Sequence, residues 1–370
     1  MKQLMLGPQL HKFQSCKEFA DEFQIGKGDL ILTNEFIYKP CFGALNLQAD
    51  VIYQEKYGAG EPSDEMAEAI YADMKGSYKR IIAIGGGTVV DLAKLYALKN
   101  VTPILDLYDR KQDIIKDKEL ILVPTTCGTG SEVTNLSILE LKSRQTKMGL
   151  AADEMYADSA VMIPELLGGL PYRFFATSSI DALIHAVESS VSPKATSYTR
   201  LFGYKAIEMI VRGYQEIAKN GQEARMPLLE DFLVASNYAG IAFGNAGVGA
   251  VHAMSYPLGG KYHVAHGEAN YALFTRIFEY YMSICSTGAI AELNEHLAGL
   301  LGCAAADVYT ELEKLLGSIL PRKPLREYGV TEQDVVEFTQ NVMEKQTRLT
   351  ANNFVPLDAQ RVAAIYRELM

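Results

Sequence analysis

The sequence predicts an α/β protein in two parts. Residues 1–168 are expected to form an N-terminal Rossmann-like, parallel-sheet dinucleotide-binding domain, and residues 169–370 a C-terminal all-helical metal-binding domain. Three observations predict this. Short apolar runs alternate with helical patterns through the first half, as in a parallel sheet covered on both faces. One such run enters three consecutive glycines and then a helical pattern, which is a phosphate-binding arrangement. The second half shows apolar residues at helical spacing and gathers histidines.

In chain order, DLILT from Asp29 suits a buried strand, and DVIYQ from Asp50 to Gln54 suits another. A Gly/Pro loop follows, then the helical stretch SDEMAEAIYADMK. Next comes RIIAIGGGTVVDLAKLYAL, in which a strand runs into Gly85-Gly86-Gly87 and a helix start. Backbone N–H groups at such a turn face outward at the positive end of a helix, and residues without side chains let a pyrophosphate approach closely. The pattern is neither GxGxxG nor a P-loop, and a tight turn without ligand is the alternative. PILDL and ELILVPTT read as two further strands. The cluster PTTCGTGSEVTN, Pro124 to Asn135, should sit at a strand's carboxyl end, the edge where open α/β sheets bind ligands. Its hydroxyls at Thr125, Thr126, Thr129 and Ser131 suit a ribose, an amide or a phosphate, or else a surface loop. Lys147 is either a solvated lysine or a ribose or phosphate contact.

LGGLPYR, Leu167 to Arg173, is a plausible hinge, and beyond it the strand pattern stops. Helical spacing runs through YTRLFGYKAIEMIVRGYQEI, MPLLEDFLVASNYAGIAF, AIAELNEHLAGLLG and AADVYTELEKLLGSIL. In SSIDALIHAVES, Asp181 and His185 stand at i and i+4 and so share a helix face. The stretch from Gly247 to Tyr271 holds three of the six histidines, His252, His263 and His266. It is expected to break at Pro257, turn through Gly259 and Gly260, and restart at His266. One carboxylate and several imidazoles converging on a point make a divalent-metal site, with iron or zinc indicated.

The totals exclude other classes. The chain has 370 residues, 48% hydrophobic and 22% charged, and a net charge of −10 that argues against nucleic acid or anionic membrane as partner. Its five cysteines are odd in number and lack a CxxC, a pattern of free thiols in a reducing compartment. The start MKQLMLGPQLHKF shows no signal peptide, and no later run is long and apolar enough to span a bilayer, so a cytoplasmic protein is expected.

The motifs together resemble those of the iron-containing (group III) alcohol dehydrogenases. GGGTVVDLAK looks like the family's GGGSxxDxAK, and VPTTCGTGSEVT like PTTxGTGSEVT. SSIDALIHAVES and GNAGVGAVHAMSYPLGGKYHVAHGEAN resemble its two metal-binding stretches, and YGVTEQDVVEFTQNVM its C-terminal pattern. Within the family, the chain most resembles the 4-hydroxybutyrate dehydrogenases of anaerobic fermenters. The resemblance implies one Fe(II), or in some members Zn(II), held by Asp181, His185, His252 and His266, which removes His263 from the ligand set. It also implies pyrophosphate at Gly86, Gly87 and Thr88, with further cofactor contacts at Asp91, Thr125, Thr126, Thr129 and Lys147. Members are often dimers or larger, so a homo-oligomer is compatible.

Three departures from the family pattern bear on chemistry. Many members carry a histidine four residues after the third ligand, discussed as a proton carrier; here that position is Tyr256. Where many alcohol-specific members have GGFYN, this chain has Gly259-Gly260-Lys261-Tyr262-His263, and Lys261 and His263 are groups that suit a carboxylate. Where many have an aspartate bonding the adenosine ribose, this chain has Asn34 and then Glu35, which favours NAD and leaves NADP open. The expected activity is hydride transfer between a nicotinamide cofactor and succinic semialdehyde or 4-hydroxybutyrate. The rivals are a neutral alcohol or diol dehydrogenase, a dehydroquinate-synthase-like lyase, and a nucleotide-sensing binding protein.

Overall fold

The computed structural model describes residues 2–144 and 146–370. The chain divides into two compact units, Leu6–Leu170 and Pro171–Met370, the second joined by the N-terminal residues up to Met5. The division thus falls inside the Leu167–Arg173 segment, slightly beyond the 168/169 boundary read from sequence.

The first unit contains β1 (Gln9–Lys12), α1 (Cys16–Glu22), β2 (Asp29–Thr33), α2 (Glu35–Phe42), β3 (Asp50–Tyr53), α3 (Asp64–Asp73), β4 (Arg80–Gly85), α4 (Gly87–Tyr96), α5 (Ile104–Tyr108), β5 (Glu119–Pro124), β6 (Leu136–Leu141), β7 (Thr146–Ala151) and β8 (Ser159–Met162). Six strands form one sheet in the order β1-β8-β5-β4-β2-β3, every pair parallel. The central strands are apolar on both faces because helices cover both: Leu30 to Leu32, Ile81 to Ile84 and Leu120 to Val123 are all fully buried. Ser63 caps α3 by accepting from the Met66 N–H.

PILDL is a correction to the sequence reading. It folds as the helix α5, and the residues it buries are Ile104, Leu107 and Tyr108, a spacing of three and four. A five-residue apolar run carries both periods, and only the packing partner decides between them. The edge strand β1, its neighbour β8 and the antiparallel hairpin β6–β7 are not assigned from sequence. β1 is mostly exposed and polar, and β8 has four residues, so neither leaves a readable pattern.

Among the described residues no strand occurs from Tyr172 onward, and the elements are helices joined by loops and 3₁₀ turns: α6 (Tyr172–Val191), α7 (Ser197–Asn220), α8 (Leu229–Ala246), α9 (Ala250–Tyr262), α10 (His266–Ile284), α11 (Ala289–Leu301), α12 (Val308–Ile319), α13 (Glu332–Lys345), α14 (Thr347–Thr350) and α15 (Ala359–Glu368). α6 is buried along nearly its whole length and packs on α7, α8 and α10. No helix is long and apolar enough to cross a membrane among the described residues.

α9 is the second correction. It does not break at Pro257; it continues through Gly259 and Gly260 to Tyr262 and ends at His263, whose φ of 53° is left-handed. The proline removes one backbone donor. Side-chain hydroxyls serve the neighbouring carbonyls, Ser255 donating to that of His252 at 3.0 Å and Tyr366 to that of Met254 at 2.6 Å. Lys261 therefore lies on the last turn of a helix, not in a loop.

Candidate metal and dinucleotide sites

Asp181 and His185 project from one face of α6, His252 from the first turn of α9, and His266 from the first residue of α10. One ligand atom from each of the four lies within 4.8 Å of the others. Asp181 Oδ1 is 3.9 Å from Nε2 of both His252 and His266, and Asp181 Oδ2 is 3.9 Å from His185 Nδ1. Asp181, His185 and His252 are buried, while the His266 side chain is 31% exposed and marks the open side. The α10 start reaches this point because Gly267 has no side chain: a Cβ there would stand 2.2 Å from the Thr177 carbonyl oxygen on α6.

The donor set suits a divalent cation. Donor atoms on one tetrahedral ion at about 2.1 Å stand roughly 3.4 Å apart; the Asp181–His pairs at 3.9 Å are about half an ångström wider than that, and no pair, all lying within 4.8 Å, would have to close by more than roughly 1.4 Å. The site also presents acceptors inward. The Asn270 amide donates to Asp181 Oδ1 at 2.7 Å and approaches His252 Nε2 at 3.1 Å and His266 Nε2 at 3.2 Å. A donor thus stands among three lone pairs, the electrostatic role a cation would take. Burial pushes the Asp181 carboxyl up, but the imidazoles of His185, His266 and His252, with the Asn270 amide, hold it below its usual value.

Glu188, which the sequence reading did not single out, fixes this centre. It lies on α6 and is 3% exposed. Its Oε2 is 2.6 Å from His252 Nδ1, and its Oε1 accepts from the Val251 N–H at 2.7 Å. A carboxylate only accepts, so Nδ1 carries the proton and Nε2 offers its lone pair towards Asp181. His185 is stacked between Phe243, at 4.2 Å between centroids, and His252, at 4.7 Å.

In the first unit, β4 and β5 are neighbours with Gly85 opposite Pro124, so the glycine turn and the Thr-rich loop leave the sheet side by side. Thr125 N–H donates to the Gly85 carbonyl at 3.1 Å. A Cβ on Gly87 would meet the Thr129 methyl at 3.0 Å, and one on Gly86 the Thr126 methyl at 3.6 Å. Gly86, Gly87, Thr126 and Thr129 are thus brought together at the N-terminus of α4, whose first-turn N–H groups have no partner within the helix. Thr88 donates to the Gly60 carbonyl at 3.0 Å. Asp91 is turned inward: Oδ1 accepts from Ser131 at 2.5 Å and Oδ2 from the Ile138 N–H at 2.9 Å. Fully buried Lys94 completes that clamp, donating to Ser131, Thr134 and the Leu136 carbonyl, and burial pushes its ammonium down. Lys147, on β7, pairs with Glu61.

The chain matches two family descriptions, "Iron-containing alcohol dehydrogenase" over residues 10–164 and "Fe-containing alcohol dehydrogenase family, C-terminal" over residues 175–370. It is 53% identical over 370 residues to a 4-hydroxybutyrate dehydrogenase of Clostridium kluyveri, covering 100% of both chains. The chain belongs to the iron-containing alcohol dehydrogenase family. A long-chain-alcohol dehydrogenase of Geobacillus thermodenitrificans is 34% identical over 91% of this chain and 88% of its own. Among solved structures, a 1,3-propanediol oxidoreductase superposes with TM-score 0.85 at 24% identity over 100% of both chains. A sulfoacetaldehyde reductase of Bifidobacterium kashiwanohense in complex with NAD+ does so with TM-score 0.84 at 21% identity, over 100% of this chain and 98% of its own; both show the fold.

In this iron-containing alcohol dehydrogenase the residues read from sequence at the proton-carrier position, Tyr256, and toward a substrate carboxylate, Lys261 and His263, are placed as follows. The half-buried Tyr256 lies one turn beyond His252, its ring 6.0 Å from that of His266. Lys261 is held by Asp334 and by Glu337 at 2.8 Å. Those hydrogen bonds push its ammonium up. His263 caps α9 on the exposed surface.

Proposed function

We propose that the chain interconverts succinic semialdehyde and 4-hydroxybutyrate with Fe(II) and NAD. The observation that carries this reading is the identity of 53% over the whole length of a 4-hydroxybutyrate dehydrogenase. The convergent Asp181, His185, His252 and His266 support its metal-dependent part. When bound, Fe(II) or Zn(II) supplies a Lewis acid for the carbonyl, and the dinucleotide supplies or takes the hydride.

The chain's own residues do the rest. Asp181, His185 and His252 give a buried, water-poor floor to the site, and His266 closes it from the exposed side. Tyr256 Oη, beside His266, moves the proton to and from the alcohol oxygen. Gly86, Gly87 and Thr88 hold the pyrophosphate by backbone N–H groups, with Thr125, Thr126, Thr129 and Lys147 around them. Lys261 and His263, at the end of α9, anchor the carboxylate; Lys261 has three donors and two carboxylate partners, so one N–H remains. A second reading, a neutral alcohol as substrate, is favoured by the same observation, since Asp334 and Glu337 offset the Lys261 charge.

The test is anaerobic. Fe(II)-loaded protein should consume NADH and form 4-hydroxybutyrate in equal amounts from succinic semialdehyde, followed by absorbance and NMR, and chelated protein should do neither. Turnover without net NADH consumption would indicate a lyase instead.

A further inference from the structure

We propose that Glu55, from the turn after β3, is the residue that selects NAD over NADP: its carboxylate accepts the adenosine 2′-hydroxyl and repels a 2′-phosphate. The inference rests on the dinucleotide reading of the first unit. In folds of this kind the pyrophosphate sits at the glycine turn after one strand, and a carboxylate at the carboxyl end of a neighbouring strand takes the ribose diol. Here the glycine turn follows β4, and the neighbours on that side are β2 and then β3.

At the end of β2 stands Asn34, which has no charge. Glu35 follows, but its carboxylate is turned along α2 to Lys39 at 2.9 Å. The carboxylate that faces the start of α2 comes from the next strand. Glu55 Oε1 accepts from the Glu35 N–H at 2.6 Å, and Oε2 accepts from Asn34 Nδ2 at 2.9 Å. Two donors pin the group, while the residue is exposed and keeps lone pairs for a hydroxyl.

The turn that carries Glu55 is itself fixed. Gln54 is buried, accepts from Asn34 at 3.2 Å and donates to the Gly58 carbonyl at 2.9 Å. Further along, the Gly60 carbonyl takes the Thr88 hydroxyl beside the glycine turn. The segment from Gln54 to Gly60 therefore borders both the α2 start and the pyrophosphate turn. A 2′-phosphate would ordinarily be welcome at a helix N-terminus. Here a carboxylate already holds the Glu35 N–H, so the phosphate would meet like charge and lose that donor. Of the nearby cations, Lys39 is paired with Glu35, and Lys56 lies over the Tyr53 ring at 5.0 Å.

The test is equilibrium binding of NADH and NADPH to the full-length protein and to Glu55→Gln, Glu55→Ala and Glu35→Gln, by calorimetry. The wild type should bind NADH more tightly. Glu55→Gln keeps an acceptor for the Glu35 N–H, and should bind NADPH at least about tenfold tighter than wild type while NADH weakens a few-fold. Glu35→Gln should keep the wild-type ratio, and a loss of fold would show in the melting temperature. An unchanged ratio in both Glu55 variants, or a collapse of the ratio in Glu35→Gln alone, would overturn the assignment. A wild type that binds both nucleotides equally would overturn it and leave the dinucleotide reading standing; one that binds neither would overturn both.

Discussion

At His252 one ring nitrogen faces Asp181 and the other faces Glu188, whose carboxylate can only accept and so takes the Nδ1 proton. The carboxylate that enforces this was hidden in the sequence. The spacing of Asp181 and His185 was legible, because a four-residue step on a helix declares a shared face. Glu188, one turn further on, reads as an ordinary helix-surface acid until α9 is packed against it. Replacing Glu188 by Ala should lower affinity for the metal about 10- to 100-fold, read by competition with a chelator. Unchanged affinity would mean that the ring is oriented by packing alone. At the proposed carboxylate anchor, Lys261→Ala should raise KM for succinic semialdehyde far more than KM for butanal. Equal effects would remove Lys261 from the anchor and leave His263 or a neutral substrate.

The elements that carry the proposed ligands depend on two local arrangements. α10 begins against α6 at a distance that only a glycine permits. Gly267→Ala would drive its Cβ into the Thr177 carbonyl, and the backbone cannot yield as a side chain does. A loss of about 1–3 kcal/mol in stability and reduced metal occupancy are expected, read by thermal unfolding and metal analysis; wild-type values for both would contradict the packing account. The end of α9 is tied to α13 through buried Asp334, which closes a capping box with Thr331 and accepts from Lys261 and from Tyr262 at 2.8 Å. Burial alone would raise that carboxyl, but the bonds from Lys261, Thr331 and Tyr262 hold it well below the usual carboxylate range. A depressed folded-state value stabilises above the unfolded-state value of about 4 and is lost as pH falls through the folded-state one. Asp334→Asn should therefore lower stability by about 1 kcal/mol at neutral pH. The gap to wild type should narrow as pH drops below about 4; a gap independent of pH would sink the ionic account. The helix through Pro257 was not legible, because proline and paired glycines ordinarily signal a break, and the contact from Tyr366 to the Met254 carbonyl beside that site is made only by the fold.

For the molecule as a whole, the alternation of strand and helix in the first unit and its absence in the second were enough to separate a parallel sheet from a helical unit. Strands flanked by glycines or prolines, such as β2, β4 and β5, were read at their observed places. β1, β8 and the β6–β7 hairpin were not, since β1 is mostly exposed, β8 is only four residues long, and the hairpin strands, exposed on one side, carry no continuous apolar run. The catalytic claim joins what each unit carries, an Asp/His cluster proposed to hold the metal in one and a glycine turn proposed to hold the pyrophosphate in the other. The measurement that tests it most directly is kcat/KM of the Fe(II)-loaded, anaerobic enzyme with NADH for succinic semialdehyde and for butanal in parallel. The account predicts a strong preference for the semialdehyde, with the difference carried mainly by KM. Equal or better turnover of butanal would contradict the assigned substrate and return the site to a neutral alcohol.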